Sequence, residues 1–307
     1  MFLQIKNASI GYQSSLVSNI NTSLNLGDVC LLIGNNGVGK TTLIKSILNQ
    51  IPLLKGNISI EDKNIKDFSV KSIAENIAIV FSKSIISQNY TVEDLVSLGK
   101  YIYYPFYFEL KKQDREEVSD IIEKLDLVQY KNTLLRNLSD GNLQKAFIGR
   151  ALAQNTPVII LDEPTTHLDE KNKLIILKTL RNLAKEHNKI ILFSSHDWRL
   201  AKEFADKIWY IKENNLYSGI VEDLLLQHQE LTDVSLFQFN RLFVAPKIIA
   251  PELHKEMLYS LLQKNFQKDL SLFTFEFKNK IWSISNDSTK TECESYEEII
   301  NFVKNIH

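Results

Sequence analysis

Gly34-Asn35-Asn36-Gly37-Val38-Gly39-Lys40-Thr41-Thr42 is the stretch whose reading decides the fold. It fits the pattern G-x-x-x-x-G-K-[ST]. Glycines let the backbone wrap closely around phosphate while successive N–H groups point inward. The run Val29 to Ile33 leads into it as a short apolar strand, and Thr41–Asn49 follows as a helix. Strand, loop and helix are the context this motif requires, and a helix start adds its positive dipole end. Lys40 is the residue expected to reach the β- and γ-phosphates of a nucleotide, and the Thr41 hydroxyl is suited to Mg²⁺. A plain glycine-rich turn would need none of this context.

A second run, Val158-Ile-Ile-Leu161-Asp162-Glu163-Pro164, places two acids at the end of four apolar residues. Ligands of open α/β sheets bind at the carboxyl ends of such strands. Asp162 suits a metal held through water, and Glu163 suits the polarisation of an attacking water. Ile190–Phe193 is another uninterrupted apolar run, as expected for a strand covered on both faces, with Leu174–Lys185 as the crossover helix between the two. The first 35 residues read as short strands, with Phe2 to Ile10 mixing apolar and polar positions. Between about residues 85 and 150 the pattern is helical, over Thr91–Gly99, Asp114–Leu125 and Asn142–Ala153.

Beyond about residue 230 the character changes. Pro246 and Pro251 bracket an irregular stretch. Leu253, Met257, Leu261 and Leu262 form a helical stripe, and Phe273, Phe275 and Phe277 alternate with polar neighbours. Ile281–Ser285 reads as a partner strand, and Tyr296, Ile299, Ile300 and Val303 as a last helix. Residues 231–307 are therefore expected to form a small α–β–β–α accessory domain, with Phe273, Phe275, Phe277, Trp282 and Ile284 buried.

Composition narrows the function classes. The chain has 307 residues, 36 Lys+Arg against 37 Asp+Glu, and 44% hydrophobic residues. That balance excludes wholesale disorder, and the near-zero net charge argues against a general nucleic-acid binder. No apolar run approaches the roughly 18–20 residues of a membrane-spanning helix. The start, MFLQIKNASIGY, lacks a basic-then-apolar signal pattern, so a cytosolic protein is expected. Cys30 and Cys293 are too few for a metal cluster, and Cys30 lies in an apolar run that suits a buried thiol.

Leu138-Ser139-Asp140-Gly141-Asn142 opens the helix containing Gln144, Lys145 and Arg150. This resembles the signature motif of ATP-binding cassette (ABC) proteins, commonly Leu-Ser-Gly-Gly-Gln/Glu, and its spacing to Asp162 agrees with that family. Thr166-His167-Leu168-Asp169 is similar to the family's D-loop, and His196 in Phe193-Ser-Ser-His196-Asp197 to its switch histidine. Tyr12 is similar to the aromatic that stacks on adenine.

The resemblance implies a P-loop ABC ATPase domain over residues 1–230, an α/β fold with a mostly parallel sheet and a helical insert at about 85–150. It implies ATP and Mg²⁺ as cofactors. Gly34, Asn35, Asn36, Gly37, Val38, Gly39, Lys40, Thr41 and Thr42 would cradle phosphate, with Tyr12 at the base. Lys40, Glu163 and His196 would serve catalysis, and Thr41, Asp162 and the position of Ser82 the metal. Ser139 and Gly141 would face the γ-phosphate bound by a second copy, which makes a homodimer the working unit.

Two departures stand out. Ser82 occupies the place of a glutamine usual in the family, and Gln88 lies six residues further on. Asp140 and Asn142 replace the commoner Gly and Gln/Glu.

Thr91-Val-Glu-Asp-Leu-Val-Ser-Leu-Gly-Lys100-Tyr101 resembles the helical-subdomain stretch of ATPases serving iron–siderophore, haem and vitamin B12 uptake. That likeness implies an integral membrane permease, a secreted or periplasmic substrate-binding protein, and a place at the cytoplasmic face of the membrane. A single-cassette ATPase of iron–sulfur cluster assembly is the alternative reading.

Overall fold

The computed structural model describes residues 1–82, 86–104, 109–166, 168–197, 199–228, 243–266, 268–286 and 289–305. Position 85, His167 and the 230/231 boundary lie outside the described residues. The chain divides into two compact units, Met1–Leu231 and Thr232–His307.

The first unit begins with β1 (Leu3–Gly11), β2 (Ser15–Leu24) and β3 (Val29–Ile33), followed by α1 (Lys40–Ile47). Next come β4 (Lys55–Ile60), β5 (Lys63–Asn64), α2 (Val70–Asn76) and β6 (Ile77–Val80). The helical insert holds α3 (Val92–Ser97), α4 (Lys112–Lys124) and α5 (Asp140–Ala153). The unit closes with β7 (Val158–Leu161), α6 (Glu170–Glu186), β8 (Ile190–Ser195), α7 (Arg199–Phe204), β9 (Lys207–Lys212), β10 (Asn215–Ile220) and α8 (Val221–Gln227).

A six-stranded sheet in the order β10-β9-β3-β8-β7-β6 forms the centre, parallel except for β10. Its apolar runs are uninterrupted because alternate residues enter different cores. Val29, Leu31 and Ile33 pack into one core with Ile159, Leu161, Ile191 and Phe193. Cys30 and Leu32 pack into the other with Val158, Ile160, Ile190 and Leu192. Burial pushes the Cys30 thiol pKa up, and both cysteines are free and buried.

A second sheet, β2-β1-β4-β5, is antiparallel. The ten-residue β2 falls within the first 35 residues, where short strands are expected, but its own bounds are not legible because its apolar positions are sparse among Ser, Asn and Thr. Its Val17, Ile20 and Leu24 are nevertheless fully buried against the same core as β1.

The helical insert is fixed by caps and by close packing. Thr91 and Asp94 form a reciprocal capping box at the start of α3. Gly99 lies in a 3₁₀ turn against α5, where a Cβ would collide with the Arg150 carbonyl oxygen. Arg150 Nη2 donates to the Ile79 carbonyl at 2.6 Å, and Gln154 Nε2 donates to the carbonyls of Ala74 and Ile77 at 2.6 and 3.2 Å. The C-terminal half of α5 is thereby bonded to β6 and to α2, which leads into it.

The second unit has β11 (Lys247–Ile249), α9 (Glu252–Asn265), β12 (Thr274–Lys278), β13 (Ile281–Ser285), β14 (Lys290–Cys293) and α10 (Tyr296–Lys304), with sheet order β11-β12-β13-β14. The expected α–β–β–α order thus gains a strand before α9 and another before α10. Both are short edge strands, three and four residues long, with little apolar pattern to announce them. Phe273, Phe275, Trp282 and Ile284 are buried, whereas Phe277 is only half-buried and stacks with His254 at 4.1 Å between ring centroids. Phe277 lies beside the hairpin turn at residues 279–280, and its ring packs on His254 and Trp282 at the edge of the core rather than within it.

Gly99→Ala is expected to lower unfolding free energy by about 1–3 kcal/mol through overpacking against α5. Urea denaturation followed by circular dichroism measures it, and an unchanged midpoint would contradict this account of the packing.

Candidate active site

The parallel register brings the site to one sheet edge. Ile33 of β3 pairs with Ser195 of β8, and Leu161 of β7 pairs with Phe193 of β8. Gly34, Asp162 and His196 therefore leave their strands at the same carboxyl edge.

The loop from Gly34 to Gly39 turns through conformations that L side chains resist. Gly39 has φ of 114° and precedes α1 without a side-chain cap. Uncapped first-turn N–H groups and the helix dipole are suited to an anion. Asn36, Gly37, Gly39, Lys40, Thr41, Thr42 and Glu163 line a cavity of about 160 Å³. Asn35 is exposed beside it, and Val38 packs partly on the core under the loop. Lys40 Nζ donates to the carbonyls of Gly34 and Asn35 at 2.6 and 3.0 Å. Burial pushes the Lys40 pKa below its usual value, and the nearby Glu163 and Asp162 oppose that shift.

Two acids meet the loop from β7. Thr41 Oγ1 donates to Asp162 Oδ2 at 3.1 Å. Glu163 has φ of 54°, a left-handed conformation that costs a non-glycine residue on the order of 1–3 kcal/mol. Its carboxylate lies 2.6 Å from His196 Nε2 and accepts from Thr166 Oγ1 at 3.3 Å. The hard oxygens of Thr41 and Asp162, side by side at a phosphate-binding loop, fit a Mg²⁺ ion.

Lys40, Thr41, Asp162, Glu163 and His196 thus come together. Tyr12, Ser139, Gly141 and Ser82, also read from the sequence, do not line the cavity. Tyr12 is 64% exposed just beyond β1. Ser139 is exposed and accepts the Asn142 N–H as the N-cap of α5. Gly141 is buried, and a Cβ on it would press on the Asn172 amide, which bonds Asp169 at the cap of α6. Ser82 and Gln88 are exposed past the end of β6 and do not line the cavity.

Sequence reading assigned no role to Ser194, which bonds to both acids: Ser194 Oγ donates to Asp162 Oδ1 at 2.7 Å and accepts from the Glu163 N–H at 2.8 Å. The available signal was a hydroxyl residue at the end of an otherwise apolar buried strand.

Residues 17–166 match the family model described as ABC transporter. The chain is 37% identical over 228 residues to an uncharacterized ABC transporter ATP-binding protein of Methanocaldococcus jannaschii, covering 73% of this chain and 78% of that protein. It is 32% identical to the iron(3+)-hydroxamate import ATP-binding protein of Bacillus subtilis, covering 73% of this chain and 86% of that one. It is 31% identical to a petrobactin import ATP-binding protein of Bacillus anthracis, over 76% and 88% of the two chains. Among solved structures, a metal-chelate type ABC transporter in an inward-facing conformation superposes with a TM-score of 0.67 at 25% identity, covering 77% of this chain and 89% of that one. With this fold, this phosphate loop and these relatives, the chain belongs to the ATP-binding cassette family of ABC transporter ATP-binding proteins and is an ATP-binding, ATP-hydrolysing subunit.

Proposed function

We propose that this ATPase drives an importer for an iron–siderophore, haem or cobalamin, working as a homodimer against an integral membrane permease at the cytoplasmic face of the membrane. A secreted or periplasmic binding protein would deliver the substrate through that permease. Residues 1–230 would carry the chemistry, and 231–307 would be an accessory domain without a part in it. The carrying observation is the likeness to the relatives named for petrobactin and iron(3+)-hydroxamate import. Those names favour import over iron–sulfur cluster assembly. The Thr91–Tyr101 segment supports the same branch, although its Thr91 and Asp94 also have a capping role.

Hydrolysis would proceed by in-line attack of water on the γ-phosphate. Glu163 would polarise the water, with its carboxylate oriented by His196 and Thr166. Lys40 would leave the carbonyls of Gly34 and Asn35 to neutralise the β- and γ-phosphates. Thr41 and Asp162 would hold Mg²⁺, which supplies charge stabilisation at the transferring phosphoryl group. Ser139 and Gly141 at the start of α5 would close over the nucleotide of the second copy, where the helix N-terminus favours negative charge. Tyr12 would stack on adenine.

A groove supports the permease partnership. It has a volume of about 550 Å³ beside α2 and β6 and is lined by Leu48, Phe68, Val70, Ile73, Leu98, Ile102 and Arg150, among others. Val70 is 90% exposed at its rim. Apolar side chains left open in this way suit a protein partner. Arg150 joins the groove to the Ile79 carbonyl, three residues before Ser82.

Lys40→Ala is expected to abolish hydrolysis. Glu163→Gln should retain ATP binding, turn over slowly and accumulate as an ATP-bound dimer. Size-exclusion chromatography with Mg-ATP reads the second outcome. A monomeric peak with ATP demonstrably bound would count against the two-chain site.

Ser82→Gln should leave basal hydrolysis within about a few-fold, since the residue lies outside the cavity, and alter permease stimulation more. Comparing ATPase rates with and without the permease in proteoliposomes tests this. A rise of orders of magnitude in basal rate would make Ser82 a catalytic lesion.

A further inference from the structure

We infer that Ser194 is a positioning residue for hydrolysis: its single hydroxyl sets the geometry of Asp162 and Glu163 together. The inference rests on the roles proposed above for those two acids. Ser194 is fully buried near the end of β8, between the strand that supplies both acids and the strand that leads into the phosphate loop. A hydroxyl has one proton to give and lone pairs to receive. Here the proton goes to Asp162 Oδ1, and a lone pair takes the Glu163 N–H.

Each bond has a separate consequence. Asp162 is held at both oxygens, Oδ1 by Ser194 and Oδ2 by Thr41, so its carboxylate plane is fixed with respect to the phosphate loop. Glu163 is held in a left-handed conformation that its side chain disfavours, and the Ser194 oxygen accepts the N–H of that strained residue. The Glu163 carboxylate then reaches His196 and Thr166. Losing the Ser194 oxygen would free both acids at once. A residue that merely fills space in β8 would do neither, because packing alone does not fix carboxylate orientation.

The test is the full chain with Ser194→Ala, compared with wild type and with Ser194→Thr. Turnover should fall by about 10–100-fold in the alanine chain, the loss usual when a partner of a ligating carboxylate is removed. ATP affinity measured in EDTA should stay near wild type, because the phosphate loop is intact. Mn²⁺ affinity of the ATP-loaded protein, followed by electron paramagnetic resonance, should weaken. Threonine keeps the hydroxyl and should recover most of both losses. Ser194→Cys, close in volume but a weak hydrogen-bond donor, repeats the measurement if the alanine chain does not fold.

Wild-type turnover and Mn²⁺ affinity in a folded alanine or cysteine chain would overturn the inference. So would a folded threonine chain impaired as much as alanine. Glu163→Gln is assayed alongside. If it turns over at the wild-type rate, the reading of the site fails and the role of Ser194 fails with it. If it is slow while Ser194→Ala is not, only the role of Ser194 fails.

Discussion

The parallel register of β3, β8 and β7 is the constraint on which the site depends. Strands in register end together, so the glycine loop, the two acids and the histidine emerge side by side although they are distant in sequence. The register is itself enforced from both faces. A one-residue slip would exchange the two cores, sending Leu31 and Phe193 where Cys30 and Leu192 now pack. Polar bonds then lock the edge. Thr41 to Asp162 joins loop to acid, and the Asp162 N–H bonds to the Val80 carbonyl at 2.8 Å, joining acid to β6.

From β6 the same network runs into the helical insert. Arg150 and Gln154 bond α5 to β6 and α2, while Ser139 caps the other end of α5. One helix thus connects the apolar groove beside α2 with the signature residues. A rigid element bonded at one end and exposed at the other is suited to carry a displacement, which is what coupling ATP to a permease requires.

Much of this was legible in the sequence, for reasons that differ residue by residue. Gly34 to Thr42 declared itself because the glycines and lysine are fixed by phosphate chemistry as well as by backbone geometry. Val158–Leu161 and its acids were readable because a doubly covered strand leaves an unbroken apolar run. The bounds of β2 were not, since half-polar strands in an antiparallel sheet carry a weak pattern. β11 and β14 were missed because edge strands of three and four residues need only backbone bonds to a neighbour. Ser194 stands two residues before the switch histidine, yet its two bonds arise from β8 lying beside β7. Serine gives no hint of its partners until the strands are placed. Ser139 and Gly141 follow from family likeness alone, and their place outside the cavity of their own chain fits a site that a second chain completes.

That completion is the central claim, and Ser139→Arg placed in the Glu163→Gln chain tests it most directly. A bulky cation at the α5 cap should block the partner's nucleotide without touching the chain's own phosphate loop. Equilibrium ATP binding and sedimentation velocity are measured on the same sample with Mg-ATP. The account predicts ATP bound at close to the parent affinity by a chain that stays monomeric. Dimers forming as readily as in the parent, or loss of ATP affinity in the folded monomer, would contradict it.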